Sequence, residues 1–296
     1  MRLRAMAKIN LALDVLGKRP DGYHDVRMIM QTVTMYDDIE LLKKPESGIE
    51  LSTSLPYIPV DERNLAYRAA QLLMDEFGVN EGLRIRLHKF IPVAAGLAGG
   101  STDAAAVLVG VNSMFRLGLS TEDLMKRGAA LGADVPFCVM RGTALAEGIG
   151  EKLTRLPPAP DCSVLIAKPG VSVSTRAAYE ALRENEITSH PDIDGMIASI
   201  REGDLYGVAS RMENVFEPGI AEMHPVIKEL ITQIEENGAI KAVMSGSGPT
   251  VFGIFDDKKK AEHAAHILRQ ERKARTVYIA RMFLVNDDAG IHAPQN

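Results

Sequence analysis

The sequence predicts an α/β protein built from two domains. Its 296 residues are about the length of two average domains. Strand-like and helix-like patterns follow one another in both halves of the chain, which indicates a mixed fold. The segment 153–162, LTRLPPAPDC, holds three prolines that favour extended backbone, so it predicts a linker. We therefore expect one domain over residues 1–158 and a second over residues 159–296.

The first half begins with a pair of long apolar segments that predict two strands joined by a turn. These are residues 2–16 and 26–42, and Pro20-Asp21-Gly22 lies between them. The elements predicted after this pair are a helix at 63–77 stopped by Gly78, a strand at 83–89, an alanine-rich helix after a glycine-rich loop, a helix from Ser120 to Gly132 that begins with a Ser120–Asp123 capping box, and short strands in ADVPFCVM (133–140) and GTALAEG (142–148).

The second half has its own order of elements. The predicted elements are a strand at 163–168, a helix near 175–184, helices around 192–237, strands at 240–245 and 250–255, a helix at 258–272 and a strand at 276–285. With the extra helices treated as an insertion, the order is β-α-β-β-α-β. This order is typical of the split βαβ arrangement.

Composition and charge exclude several classes of protein. A net charge of −5 and the lack of a basic stripe argue against a nucleic-acid partner. The sequence contains no CxxC pair, so it gives no indication of a zinc site, and Cys138 and Cys162 both lie in apolar surroundings. Lys8 and Asn10 interrupt the first apolar stretch, so it does not resemble a signal peptide. No apolar run is long enough for a membrane span, and we expect a cytoplasmic protein without a membrane partner.

The segment IPVAAGLAGGSTDAAA (91–106) has the composition of an anion-binding loop. Its glycines permit left-handed backbone and close approach, and Ser101 or Thr102 can cap the helix that follows. Free N–H groups and the helix dipole then suit a phosphate. The loop is neither a Walker A motif nor G-x-G-x-x-G. On its own it leaves open both phosphate binding and a purely structural turn.

Three other stretches change this balance: Lys8-Ile9-Asn10, Ala133-Asp134-Val135-Pro136 and Ser245-Gly246-Ser247-Gly248-Pro249-Thr250. Together with the glycine loop, and in this order, they resemble the GHMP kinase superfamily. The longer stretches MAKINLALDVLGKRPDGYH, IPVAAGLAGGSTDAAA, GADVPF and SGSGPTVFG resemble one family within it, the 4-diphosphocytidyl-2-C-methyl-D-erythritol kinases. The resemblance runs from residue 5 to about residue 285. Its departures are small, with Met6 where proline is usual and Thr102 where serine is usual.

The resemblance implies a two-domain GHMP kinase fold with the active site in the cleft between the domains. The N-terminal domain is expected to be ribosomal-protein-S5-like, and the C-terminal domain to have the split βαβ, ferredoxin-like arrangement. The family transfers a phosphoryl group from ATP to the 2-hydroxyl of a diphosphocytidyl methylerythritol, in the non-mevalonate route to isoprenoids. This implies ATP as co-substrate with Mg²⁺ and a small-molecule partner that carries cytidine diphosphate. Monomer and homodimer both stay open.

The resemblance also assigns catalytic roles. Lys8 is expected to reach the hydroxyl and the γ-phosphate, and Asp134 to take the hydroxyl proton. A cation near Asp134 would keep that carboxylate ionised and oriented. From spacing alone, a structural ion pair between two strand ends is the simpler interpretation. Whether Asp134 acts as a base or mainly positions the hydroxyl stays open.

Binding roles follow from the same resemblance. The residues expected around the triphosphate are Pro92, Val93, Ala94, Ala95, Gly96, Leu97, Ala98, Gly99, Gly100, Ser101 and Thr102. Ser101 and Thr102 could also approach Mg²⁺, whose ligands the sequence does not assign. Asp103 suits either metal binding or stabilisation of the first helical turn.

The acceptor substrate is expected to contact a separate set of residues. Tyr23 would supply a stacking face for cytosine and His24 would read the edge of the base. Tyr179 would be a second aromatic, or only a helix residue packed on the sheet. Asn10 would bind near the reacting hydroxyl, or cap a strand end. Gly246, Ser247 and Gly248 would form a second glycine turn that touches phosphates or supports the first loop.

Three other functions compete with this interpretation. Another GHMP enzyme, such as homoserine kinase, mevalonate kinase or diphosphomevalonate decarboxylase, could share the glycine loop, but Gly22-Tyr23-His24 together with Ala133-Asp134-Val135-Pro136 suits a cytidine-bearing substrate. A regulatory nucleotide-binding module would not need both Lys8 and Asp134. The third is an RNA-binding protein, and the net charge of −5 argues against it.

Overall fold

The structure is a computed structural model that describes residues 1–182, 187 and 189–285. The strands of this part are β1 Arg2–Lys18, β2 His24–Lys44, β3 Ile49–Thr53, β4 Gly82–His88, β5 Thr143–Glu147, β6 Lys152–Arg155, β7 Ser163–Pro169, β8 Glu213–Asn214, β9 Lys241–Met244, β10 Val251–Phe255 and β11 Ala274–Arg281. The helices are α1 Leu65–Glu76, α2 Gly99–Phe115, α3 Thr121–Ala129, α4 Val135–Met140, α5 Thr175–Ala181, α6 Ile193–Glu202, α7 Leu205–Ser210, α8 Glu217–Met223, α9 Val226–Glu236 and α10 Lys258–Glu271.

The first sheet is built on the long antiparallel hairpin of β1 and β2. Its main path has the order β3-β4-β2-β1-β8, and β5 pairs with β2 and carries β6. The hairpin turn closes through a 2.7 Å hydrogen bond from the Arg19 N–H to the Tyr23 carbonyl, and Gly22 supplies the positive φ of +87° that the turn requires. Register shifts beside Lys8 and Asn10 interrupt the β1–β2 pairing at the positions that carry polar side chains.

The second sheet has the order β11-β7-β10-β9 and is antiparallel throughout. With α5 after β7 and α10 between β10 and β11, this is the split βαβ arrangement that the order of elements predicts. Its side chains alternate between two environments. Leu165 and Ala167 join a core that includes helices α9 and α10 and part of the first sheet, whereas Val164 and Ile166 join a second core, which is also shared with the first sheet.

This shared core holds the two sheets together. Ile9 and Leu11 of β1 pack in one cluster with Phe252 and Ile254 of β10. Strand β8 adds a second connection, because Asn214 pairs in parallel with Leu13 of β1. A strand from the second half of the chain thus joins the first sheet. We keep the division between residues 158 and 159 as a proposal.

Several predicted elements differ from the structure. ADVPFCVM forms the helix α4, because Asp134 is at the N-cap and Pro136 lies in the first turn, where it loses no helical hydrogen bond. All six residues of α4 are buried, and an evenly apolar helix has no period that distinguishes it from a buried strand. The predicted linker begins with β6, which pairs with β5.

The remaining elements agree with the prediction within a few residues. The capping box of Ser120 and Asp123 is present. Strands β3 and β8 were not predicted, and both are short. Helix α5 ends at Ala181, and the predicted helical residues 183–184 lie outside the described residues. In the part of the chain that the structure describes, no helix has the length and apolar character needed to cross a bilayer.

Candidate functional site

A cavity of about 700 Å³ lies between the glycine loop, the middle of β1 and the second glycine turn. Most of the residues with predicted roles line it. These are Lys8, Asn10, Pro92, Val93, Ala94, Ala95, Gly96, Ala98, Gly99, Gly100, Ser101, Asp134, Tyr179, Gly246 and Ser247. Leu97, Thr102, Tyr23, His24 and Gly248 were also predicted as site residues and do not line it.

Lys8 and Asp134 meet in this cavity. The Lys8 side chain is buried in mid-strand, and its Nζ lies 3.7 Å from Oδ2 of Asp134. Asp134 comes from the N-cap of α4, where its carboxylate caps no N–H group, and a third of the side chain stays exposed. Burial of the cation and exposure of the carboxylate leave Asp134 accessible to a ligand in the cavity.

Asn10 fixes the position of the lysine. Nζ of Lys8 donates to Oδ1 of Asn10 at 2.8 Å, and Nδ2 of Asn10 donates to the sulfur of Met28 at 3.1 Å. Asn10 is fully buried in the middle of β1, so the interpretation as a strand-end cap is wrong. The amide therefore presents its oxygen to Lys8.

The glycine loop enters α2 without a side-chain cap. Ala98 is the N-cap in the left-handed region, with φ of 56° and no side-chain hydrogen bond. The prediction that Ser101 or Thr102 caps this helix is therefore wrong, because the helix begins two residues before Ser101. The hydroxyl of Thr102 is buried and donates to the Met6 carbonyl at 2.5 Å. The uncapped N–H groups at this helix start can bind an anion.

The second glycine turn packs directly against the first. Gly96 has φ of +72°, and a Cβ placed on it would lie 2.1 Å from the Ser245 carbonyl oxygen. The Ser245 hydroxyl donates to the Gly96 carbonyl at 3.1 Å. A Cβ on Gly246 would lie 3.3 Å from Oδ1 of Asn10. Only glycine permits this closeness, so the two turns and the Asn10 amide are held together.

A buried ion cluster that the sequence reasoning missed lies behind the loop. Nζ of Lys89 donates to Asp37 and, at 2.6 Å, to Asp103. Asp37 also accepts the N–H groups of Phe90 at 2.5 Å and Ile91 at 2.8 Å. The cluster therefore links β2, the end of β4 and helix α2. Asp103 is not in the first turn of α2, which has no acidic residue, so a first-turn role for it is wrong.

The charges of this cluster are not balanced, because two carboxylates share one lysine. Burial opposes the charged form of Lys89, but Asp103 and Asp37 outweigh it and raise the Lys89 pKa. Burial raises the pKa of Asp103 well above its usual range, although Lys89 opposes this rise. Among the described residues, Oδ1 of Asp103 has no hydrogen-bond partner.

Two aromatic side chains, those of Tyr179 and Phe216, form another wall of the cavity. The His24 and Tyr179 rings stack with centroids 4.6 Å apart, and Phe216 meets Tyr179 edge-on at 4.8 Å. Tyr23 is 61% exposed in the hairpin turn. Phe216 lines the cavity and was missed, since a single phenylalanine among helices gives no signal in the sequence.

The segment before α1 was also missed. Residues 57–59 and 63–65 line the cavity. Asn64 caps α1 by accepting the Ala66 N–H at 2.9 Å, and its Nδ2 donates to the Pro59 carbonyl at 2.8 Å. A loop without charge pattern or glycine motif carries no chemical signature, and only the fold brings it to the cavity.

Curated relatives identify the family. The 4-diphosphocytidyl-2-C-methyl-D-erythritol kinase of Lachnospira eligens is 53% identical over 283 residues, which is 96% of this chain and 98% of the relative. This chain belongs to the same family. The kinase of that name from Caldicellulosiruptor bescii is 53% identical over 91% of this chain and 94% of its own.

Family models and solved structures agree with this membership. Residues 64–142 match the GHMP kinases N-terminal domain, and residues 196–274 match the GHMP kinases C-terminal family. A crystal structure of a 4-(cytidine 5'-diphospho)-2C-methyl-D-erythritol kinase superimposes with a TM-score of 0.83 at 31% identity, covering 95% of this chain and 99% of its own.

A homoserine kinase from Cytophaga hutchinsonii gives a TM-score of 0.75 at 18% identity over 96% of this chain and 94% of its own, which is a likeness of fold. The predicted two-domain GHMP kinase fold is thereby confirmed.

Proposed function

We propose that this cavity transfers the γ-phosphoryl group of ATP to the 2-hydroxyl of 4-diphosphocytidyl-2-C-methyl-D-erythritol, yielding ADP and the 2-phosphate. Membership of the family makes the chain a kinase with ATP as its phosphoryl donor. The observation that supports the proposal best is the Lys8–Asp134 pair at 3.7 Å, in a cavity that the glycine loop also lines.

In this proposal Asp134 takes the proton of the attacking hydroxyl. The 2-oxygen forms a bond to the γ-phosphorus as the bond from that phosphorus to the β–γ bridging oxygen breaks. The proton passes to the Asp134 carboxylate and then to solvent, which reaches the exposed third of this side chain. Lys8, oriented by Asn10, supplies positive charge beside the transferred group.

The glycine loop holds the donor phosphates. The N–H groups at the start of α2 bind phosphate oxygens, since the N-cap residue, Ala98, has no side-chain group that accepts from them. Contact between Gly96 and Ser245 keeps the loop in this shape before ATP arrives. Preorganised donors of this kind do not have to reorient when charge develops.

We further propose that cytosine binds at the aromatic wall. A base has no room between His24 and Tyr179 with their centroids 4.6 Å apart. The base would therefore take the place of the imidazole on Tyr179. His24 would move to the edge of the base, where its ring nitrogens bind polar groups. Tyr23, exposed in the adjoining turn, would cover the other face.

Magnesium suits this site as a companion of ATP. Mg²⁺ is commonly held by substrate phosphates, water and one or two protein oxygens. Within residues 1–182, 187 and 189–285, no three His, Cys, Asp or Glu side chains gather as a metal site. Ser101 lines the cavity and would contribute its hydroxyl, whereas the Thr102 hydroxyl is already bonded. The ion would neutralise phosphate charge. Cytoplasmic location, oligomeric state and the lack of nucleic-acid or membrane partners stay predictions.

The test is ADP release by purified protein with ATP and Mg²⁺, offering the diphosphocytidyl methylerythritol, mevalonate and homoserine in parallel. Turnover with the cytidine substrate alone, with phosphorus NMR placing the new phosphate on the 2-oxygen, is expected. Turnover with another alcohol would keep the kinase and reject the substrate. ATP binding without turnover of any acceptor would favour a regulatory module.

A further inference from the structure

One buried amide outside the proposed chemistry connects three parts of the site. Asn214 of β8 is 3% exposed and uses both ends of its side chain. Its Nδ2 donates to the Met244 carbonyl at 2.7 Å and to the Gly246 carbonyl at 2.8 Å, and its Oδ1 accepts the Phe216 N–H at 3.0 Å. Each of these partners is a main-chain group, so the contacts fix backbone positions.

The backbone of Asn214 is itself anchored to β1. Asn214 pairs with Leu13, and the next residue, Val215, donates its N–H to the Leu13 carbonyl at 3.1 Å. Strand β1 is also the strand that carries Lys8 and Asn10. The Asn214 side chain therefore fixes the positions of the second glycine turn and Phe216 relative to β1, the strand that carries Lys8.

Two of the three residues that Asn214 holds, Gly246 and Phe216, line the cavity. Gly246 lies so close to Asn10 and Gly96 that a Cβ on it would be 3.3 Å from the Asn10 amide oxygen and 3.2 Å from the Gly96 carbonyl oxygen. Phe216 supports Tyr179 edge-on at 4.8 Å. A shift of the turn or of Phe216 would thus move the walls on which the acceptor is proposed to bind.

We propose that Asn214 is a positioning residue for the acceptor substrate, which it serves by holding Gly246 and Phe216 in register with β1. This inference rests on the proposed function. Two donors and one acceptor are needed at one buried point, and an amide supplies them. A carboxylate keeps the acceptor for Phe216 but turns negative oxygen toward two carbonyls.

The test compares Asn214→Asp with wild type and with Asn112→Asp. Asn112 makes the same two-sided contact with backbone, donating to the Leu119 carbonyl and accepting its N–H, both at 3.0 Å, and does not line the cavity. Steady-state constants for both substrates are measured between pH 5.5 and 8.5. In Asn214→Asp at pH 8, the KM for the cytidine substrate should rise about tenfold, with the KM for ATP within about threefold.

Acid should reverse this defect. The introduced carboxyl is buried beside carbonyl oxygens, which favours its protonated form, and an O–H donor restores one hydrogen bond. The ratio of KM between Asn214→Asp and wild type should therefore fall as the pH is lowered. The Asn112→Asp ratio should stay near one. A uniform loss for both substrates, or a KM ratio independent of pH, would overturn the inference.

Two further measurements keep the result interpretable. Asn214→Ser retains one donor and adds no charge. Its KM for the cytidine substrate should therefore exceed that of wild type by less than about tenfold and by the same factor at every pH. This comparison with wild type does not require Asn214→Asp to fold. Calorimetric binding of cytidine diphosphate needs no turnover. If wild type shows no turnover but binds cytidine diphosphate about tenfold more tightly than Asn214→Asp, the proposed reaction is wrong and the inference about Asn214 is supported. Equal affinities would overturn it, and no binding by wild type would overturn both.

Discussion

Replacement of Lys89 by methionine tests the buried ion cluster behind the glycine loop. Lys89, Asp37 and Asp103 have side chains that are at most 4% exposed, so the substitution leaves two carboxylates without their cation in a place that water scarcely reaches. Methionine keeps much of the apolar stem, so packing changes little. Removing one partner of a buried ion pair costs about 3–5 kcal/mol. For a protein of this size, we expect the melting temperature to fall by about 5–15 °C.

The pH dependence of this loss has a definite sign. Burial raises the pKa of Asp103 in the folded state above the usual value of 3.8, and Lys89 opposes the rise. Stability from this group is therefore complete below the unfolded pKa and is lost as the pH rises through the folded pKa. Without Lys89 the folded pKa rises further. The deficit of Lys89→Met should thus be largest near pH 8 and shrink toward pH 5.

Urea unfolding followed by circular dichroism at pH 5 and pH 8 measures both effects. Lys43→Met is the matched control, because Lys43 pairs with Glu81 on the surface at 3.0 Å. Exposed pairs contribute little, so this control should leave the midpoint almost unchanged. A Lys89→Met protein as stable as wild type at pH 8, or one whose deficit grows toward pH 5, would refute the reasoning.

Three further predictions concern the loop, the aromatic wall and the thiols. Gly96→Ala should raise the KM for ATP at least about tenfold and lower the melting temperature, because its Cβ would meet the Ser245 carbonyl at 2.1 Å in a left-handed backbone. Tyr179→Leu should weaken binding of cytidine diphosphate by about 1–3 kcal/mol in calorimetry and leave ATP affinity unchanged. Burial raises the pKa of both cysteine thiols, that of Cys162 to about 12, so a disulfide reagent should modify Cys138 and Cys162 only in urea concentrations that unfold the protein.

Each of these predictions has an outcome that contradicts it. Normal ATP affinity in Gly96→Ala would show that the two glycine turns can separate without cost. Equal cytidine diphosphate affinity in Tyr179→Leu would place the base elsewhere. Rapid modification of Cys138 or Cys162 in the native protein would mean that the core around that cysteine opens in solution.

The sequence predicted those parts of the fold in which the spacing of apolar residues and the positions of turn residues indicate the same element. Strands β1 and β2 were evident from long apolar runs around a Pro-Asp-Gly turn, and the split βαβ order followed from clear helix and strand periods. Helix α4 was predicted as a strand because all of its residues are buried, so its sequence lacks the alternation of apolar and polar residues that marks a helix with one exposed face. Strand β8 has two residues and exists because β1 offers it an edge, so no local pattern could reveal it.

Some residues of the candidate site could be predicted from the sequence, and others are brought together only by the fold. Lys8 stood out because a cation interrupts an apolar strand, and the glycine loop stood out by composition. The cluster of Lys89 with Asp37 and Asp103 joins residues 52 and 14 positions apart, and such pairing depends on the fold. Asn214 gave no signal, because its partners are backbone atoms that any residue could have supplied.

The central claim is that Asp134, held beside Lys8, takes part in phosphoryl transfer to the cytidine substrate. Single-turnover transfer in Asp134→Asn, with both substrates saturating and their affinities measured separately, tests it most directly. We predict affinities within about threefold of wild type and a chemical step slower by at least about 100-fold, the usual contribution of a positioned acid–base group. A chemical step within about tenfold of wild type, with both substrates bound normally, would contradict the claim.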